Sequence, residues 1–153
     1  MKLTGFTDYC LRVLMFLAAQ PDRRATISEI AQAFAVNEGH LTKVVHFLGR
    51  AGWLSNVRGR GGGLGLARPP GEIGIGAIVR EAEGPAIPAE CFDVRRSGCC
   101  AIAPMCRLQG VLREAVEAFH GVLDRYTLED LVHNRASLAR VLFAQAPAKA
   151  NPP

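Results

Sequence analysis

Apolar residues recur at three- and four-residue steps through much of this chain, the pattern of helices that bury one face. From Thr7 to Ala19, the residues Leu11, Val13, Leu14, Phe16 and Leu17 keep that spacing, and Pro21-Asp22 ends the segment. Thr7 or Asp8 is placed to cap its start, because a short side-chain oxygen accepts the free backbone N–H groups there. Ser28 is expected to open a second, short helix with Ile30, Ala31 and Phe34 facing inward. Ala35-Val36-Asn37 turns the chain, and a third helix runs from about Glu38 to Arg50 on the buried stripe Leu41, Val44, Val45 and Leu48. Asn37, His40, Thr42, Lys43 and His46 are left on or near its outer face. Two helices joined by so short a turn form a helix-turn-helix, whose second helix can lie in a major groove, although a plain helical hairpin shares the pattern.

The period then changes. Gly52 stops the helix, Trp53-Leu54-Ser55-Asn56-Val57 reads as a strand, and Leu64-Gly65-Leu66-Ala67 returns as its partner. The intervening Arg58-Gly59-Arg60-Gly61-Gly62-Gly63 is a turn whose arginines can reach phosphates or a narrow minor groove. No Gly-Lys-Ser/Thr follows and no helix starts directly after it, so a nucleotide-binding loop is disfavoured and a wing is the better reading. The expected DNA-facing set is Ser28, Asn37, His40, Thr42, Lys43, Arg58, Arg60, Gly61 and Gly62.

Pro69-Pro70-Gly71 is a rigid break, and a helix is expected over Gly76 to Glu83. After Cys106 the residues Leu108, Val111, Leu112, Ala115, Val116, Phe119, Val122, Leu123 and Tyr126 form a long stripe. A helix of about 20 residues would be roughly 30 Å long, and its stripe suits either a dimer seam or packing within its own chain. Thr127 with Asp130 forms a capping box for a short helix, and a weaker helical pattern continues to about Phe143. The expected fold is mainly α with a small β-wing: a winged helix-turn-helix domain plus a long dimerisation helix. Its expected divisions are the DNA-binding domain (1–70), a connector with a cysteine-rich loop (71–107), the dimerisation and C-terminal helices (108–144), and a disordered tail (145–153).

Composition narrows the class. Apolar residues make up 49% of the 153, too many for a disordered chain. No apolar run approaches the roughly 20 residues that span a bilayer, and Asp8 and Arg12 interrupt the apolar opening, which reads as a helix rather than a signal peptide. A cytoplasmic protein without membrane contact is expected. Residues 1–70 carry nine Lys/Arg against four Asp/Glu, and residues 71–153 nine against ten. A basic first half fits a polyanion-binding module, although a solvated surface could also be basic.

Four of the five cysteines fall between Cys91 and Cys106, in CFDVRRSGCCAIAPMC. Thiols this dense in a chain without an export signal are more often metal or iron–sulfur ligands than disulfides. Adjacent cysteines diverge, so one of Cys99 and Cys100 is spare. Three thiolates leave a fourth position for an exchangeable ligand, which suits a sensor. A metal-free thiol cluster and a disulfide switch are the competing readings. No Ser/His/Asp constellation or paired acid cluster points to an enzyme.

The segments LTGFTDYCLRVLMFLA, ISEIAQAFAVNEGHLTKVVHFLGRAGWL, VRGRGGGLGLARPP and ECF…CxIxPxC together resemble the winged-helix iron–sulfur regulators, and among them the nitric-oxide-sensitive repressors, over roughly residues 1–132. In the last motif Cys100, Ile102, Pro104 and Cys106 fit the register of that family best. The resemblance implies Cys91, Cys100 and Cys106 as ligands of an iron–sulfur cluster, 4Fe-4S or alternatively 2Fe-2S, with the choice between Cys99 and Cys100 open. Some members carry a histidine three positions after the last cysteine, where this chain has Gln109. In the nitric-oxide-responsive members an aspartate of the first helix reaches the partner's cluster, and Asp8 stands in the matching context; Cys10 nearby reads as a buried residue. The implied protein is a homodimeric repressor on a palindromic double-stranded operator, released when nitric oxide damages the cluster. The alternatives are a relative sensing cluster supply, iron or oxygen, and a zinc or thiol redox switch on the same frame.

Overall fold

The first helix is the most deeply buried element, and the others pack around it. The computed structural model describes residues 2–85, 89–93 and 100–143. Helix α1 spans Gly5–Ala19 and buries Thr7, Cys10, Val13, Leu14, Phe16, Leu17, Ala18 and Ala19. It starts earlier than its sequence pattern suggests. Thr4 is the cap, its hydroxyl accepting from the Thr7 N–H at 3.3 Å, so Thr7 lies buried inside the helix and Asp8 does not cap it. The reason is a contact 79 positions away: Glu83 accepts the Thr4 N–H at 2.7 Å and its hydroxyl at 3.1 Å. Burial opposes ionisation of Glu83, but hydrogen bonds from Thr7 and Thr4 outweigh it and hold the carboxyl below its usual range.

Helix α2 (Ile27–Phe34) is capped by Thr26 rather than opened by Ser28, with Glu29 closing a reciprocal capping box. The turn after it places Ala35 at φ 52°, a left-handed conformation unusual for a residue with a Cβ. Helix α3 (Glu38–Arg50) follows after the Asn37 cap and buries Leu41, Val44, Val45 and Leu48. An isolated helix of 13 residues is marginal in water. Burial at about 1.5–3 kcal/mol per large aliphatic side chain, against about 1 kcal/mol for a cap, makes packing the term that holds α3 in place.

Strands β1 (Leu54–Val57) and β2 (Gly63–Leu66) pair antiparallel with Leu54 opposite Leu66 and Val57 opposite Gly63. Ala25 exchanges two backbone hydrogen bonds with Leu64, at 3.0 and 2.7 Å, which fastens the hairpin to the start of the helix-turn-helix. Trp53 is buried beside β1, donates to Glu81 at 2.9 Å and carries the Arg68 guanidinium over its ring.

Helix α4 (Ile75–Glu83) packs on α1 through Ile75, Ile78 and Val79. Helix α5 (Arg107–Leu123) is the long one, 17 residues or roughly 26 Å. It touches α4, and Phe119 and Leu123 at its C-terminal end pack on the core. Arg80 forms an ion pair with Asp124 just past α5, and a Cβ on Gly76 would stand 2.0 Å from Asp124 Oδ1. Thr127 and Asp130 form the expected capping box at α6 (Leu128–Leu131). Helix α7 (Arg135–Phe143) returns to α1 and α2, with the Phe143 and Phe16 rings 4.8 Å apart. Among the described residues no helix is long and apolar enough to cross a membrane. Cys99 and the tail expected from residue 145 lie outside the described residues.

Gly76→Ala should push Asp124 away and loosen the α4–α5 contact. The expected cost is about 1–3 kcal/mol, the range for overpacking a tight site, read as a fall of several degrees in thermal midpoint; an unchanged midpoint would mean the contact is not tight.

Candidate nucleic-acid interface and cysteine site

Burying the Leu41, Val44, Val45 and Leu48 face of α3 leaves Glu38, Gly39, His40, Thr42, Lys43, His46 and Arg50 exposed. Two of the expected contact residues are already engaged within the helix. Asn37 Oδ1 accepts the Gly39 N–H at 2.8 Å, and the Thr42 hydroxyl donates to the Glu38 carbonyl at 2.8 Å. Asn37 keeps its amide donors and Thr42 its methyl and lone pairs for a ligand. Lys43, His46 and Arg50 line one groove with Phe47, Ala51 and Glu81. His46 and Arg50 were left out of the expected DNA-facing set, although basic residues at 43, 46 and 50 share one helix edge by spacing alone. Ser28 is exposed in the first turn of α2.

The wing tip carries Arg58 and Arg60, both exposed. Its glycines shape the turn. Gly59 and Gly61 have φ of 100° and 80°. Gly62 donates its N–H to the Gly59 carbonyl at 2.9 Å, and a Cβ there would lie 2.1 Å from the Val57 carbonyl oxygen. Gly62 is therefore required by the turn itself. Arg24 braces the wing from the side, its guanidinium donating to the Gly63 carbonyl at 3.2 Å. Side-chain cations and the exposed amide-bearing turn give this face the chemistry to hold a phosphate backbone and reach base edges.

The cysteines divide into two kinds. Cys10 is fully buried in α1; burial, reinforced by the Glu83 carboxylate, pushes its thiol up to about 12. It is a neutral core residue. Cys91 sits half-buried in a 3-10 turn (Glu90–Phe92), Cys100 is exposed, and Cys106 is the half-buried cap residue of α5. All three are free thiols. Among the described residues no group of three or more His, Cys, Asp or Glu converges into a metal-holding arrangement. Asp8 lies on α1 and pairs with Arg12 at 2.9 Å, both side chains nearly half exposed. The described residues thus supply candidate donors without gathering them.

Residues 3–134 match the profile of Rrf2, described as an iron-dependent transcriptional regulator. The chain belongs to the Rrf2 family. Within the family it is of the NsrR type: it is 49% identical to the HTH-type transcriptional regulator NsrR of Geobacillus kaustophilus (strain HTA426) over 143 residues, covering 93% of this chain and 97% of that protein. Against NsrR of Bacillus subtilis (strain 168) the identity is 46% with the same coverage. Among solved structures, CymR, the global cysteine regulator of B. subtilis, shares 31% identity and a TM-score of 0.67, over 88% of this chain and 98% of that one. T. potens IscR, at 23% identity and a TM-score of 0.70 over 99% and 94%, shows the same fold. As an Rrf2 protein this chain is a winged-helix transcriptional regulator, not an enzyme, and that build implies DNA binding. Helix α7 lies beyond the matched residues.

In reduced, metal-free protein, Cys100 should alkylate at once and Cys10 only when denaturant opens the core. Peptide mapping after timed alkylation checks the order; early labelling of Cys10 would contradict its burial.

Proposed function

We propose that this Rrf2 regulator is an iron–sulfur-dependent repressor that binds a palindromic operator as a homodimer and releases it when nitric oxide damages the cluster. One observation carries the reading: free thiols stand at and just before the start of a long helix, part of whose apolar stripe is left uncovered by the described residues. Leu108 and Val111 are each 60% exposed and Val122 44%, with Ala115 and Ala118 exposed between them. These five positions share one face at three- and four-residue steps. A second copy of the same helix would cover it and set two winged heads at a fixed spacing, as two half-sites require.

The donor set fits a cluster. Cys91, Cys100 and Cys106 are outside the core and unpaired, whereas neutral, buried Cys10 is unsuited to ligate. Those three thiols are assigned as ligands, with Asp8 from the partner subunit as the fourth. The Asp8–Arg12 pair opposes this little, since an exposed i, i+4 pair contributes about 0.3–0.5 kcal/mol. Cys106 makes no side-chain capping hydrogen bond, so its thiol is not engaged at the start of α5 and would be available as a ligand. A bound cluster, 4Fe-4S or alternatively 2Fe-2S, supplies iron that reacts with nitric oxide. Residues 100–106 and the start of α5 are then the part of the chain whose order depends on ligation. Arg58 and Arg60 are assigned to the backbone or minor groove, and His40, Lys43, Asn37, Thr42 and Ser28 to the major groove and its phosphates. Affinity for DNA and integrity of the site are linked, and the coupling is reciprocal at equilibrium.

The iron dependence in the family's description also favours a runner-up, a regulator sensing cluster supply, iron or oxygen; response to nitric oxide separates the two. Zinc in place of iron would indicate a thiol switch. Cys106→Ala should abolish iron incorporation and lower operator affinity at least tenfold while leaving the helical signal intact. Anaerobic iron and sulfide analysis with an operator titration checks this; a variant that keeps iron and operator binding would remove Cys106 from the ligand set.

A further inference from the structure

Glu38 stands out on a surface otherwise built for a polyanion. It is the one carboxylate of α3, whose exposed side carries Lys43, His46 and Arg50. It occupies the first position after the Asn37 cap, in the turn that a recognition helix points at base edges. Among the described residues its carboxylate makes no ion pair or hydrogen bond; only its backbone carbonyl is used, by Thr42. Its neighbours leave little else to read a base with. Gly39 has no side chain, and Asn37 Oδ1 is spent on the Gly39 N–H. A side chain at position 39 would crowd that oxygen, since a Cβ there would lie 2.9 Å from it. Asn37 keeps only its amide donors, so Glu38 and His40 are the side chains of this turn with no hydrogen bond among the described residues.

A carboxylate brought against DNA is repelled by phosphates, and the positive end of the helix dipole offsets that only in part. The balance turns favourable where the groove offers a hydrogen-bond donor, because an ionised carboxylate can only accept. In the major groove the donors are the cytosine N4 and adenine N6 amino groups. Adenine sets the N7 acceptor beside its amino group, which repels a carboxylate; cytosine has none beside N4. We propose that Glu38 determines operator specificity by accepting from a cytosine N4 amino group, one C·G pair in each half-site, while rejecting guanine and thymine at that position. The proposal rests on the DNA-binding reading above and adds which base that surface selects.

The test uses the anaerobically prepared, full-length protein and a pool of random double-stranded DNA. Wild type, Glu38→Gln and Glu38→Ala are carried through rounds of selection, and the enriched duplexes are then titrated with each base pair substituted in turn. Wild type should enrich a two-fold motif with one fixed C·G pair per half-site, preferred about tenfold or more over the other pairs. Glu38→Ala should lose the preference at that pair alone and bind unrelated duplex more tightly. Glu38→Gln, which both donates and accepts, should move the preference toward A·T. Motifs identical in all three proteins would overturn the proposal and leave Glu38 a helix-start residue, which a lower thermal midpoint in Glu38→Ala with unchanged base preference would mark. A wild-type protein that enriches no motif would instead overturn the DNA-binding reading itself.

Discussion

Everything in this protein leans on the burial of α1. Cys10, Val13, Leu14 and Ala18 are fully enclosed. Helices α3, α4, α6 and α7 and strand β2 all contact it. A helix enclosed in this way has no position of its own; it sits where its neighbours allow. The recognition helix and the helix that leads to α5 are therefore two walls of one core, and neither can shift far without displacing α1. Close-packed interiors transmit such displacements rather than absorb them.

The connection from α5 to that core is narrow. Arg80 with Asp124, the Gly76 contact, and Phe119 with Leu123 make the junction at one end of the helix. The other end, toward Cys106, Leu108 and Val111, has no buried residue. Among the described residues α5 is thus anchored at one end only, and the proposed ligation and second subunit would act on the other end. Glu83 adds a second link, tying the end of α4 to the start of α1 beside Asp8. Among the described residues of this region, Cys91 and Cys106 are half-buried and Cys100 is exposed, and none belongs to the core.

Much of this was legible in the sequence, because the helix-turn-helix, the wing and the long stripe are set by period, glycine and proline, which act locally. Where the reading slipped, the deciding contact was distant. Ser28, Thr7 and Asp8 are all reasonable caps, but Thr26 wins because Glu29 completes its box, and Thr4 wins because Glu83 meets it from α4. The apolar stripe of α5 likewise could not show by itself which half packs inward; the fold buries toward Phe119 and Leu123 and leaves Leu108 and Val111 outside. The basic edge from Lys43 to Arg50 was present in the spacing, but only the groove with Glu81 gathers it into one surface. The thiols were legible in the sequence as candidate donors, but among the described residues no fold contact gathers three of them into one site, so their spacing alone could not give a geometry.

In the proposed function, the state of a cluster at the foot of α5 governs the grip of α3 and the wing on DNA. The most direct test of that link is one anaerobic sample of holoprotein with labelled operator, titrated with nitric oxide while cluster absorbance and operator anisotropy are followed together. Operator release that tracks the bleaching of the cluster is the predicted result. Complete bleaching with the operator still bound, or release without any change in the cluster, would contradict it.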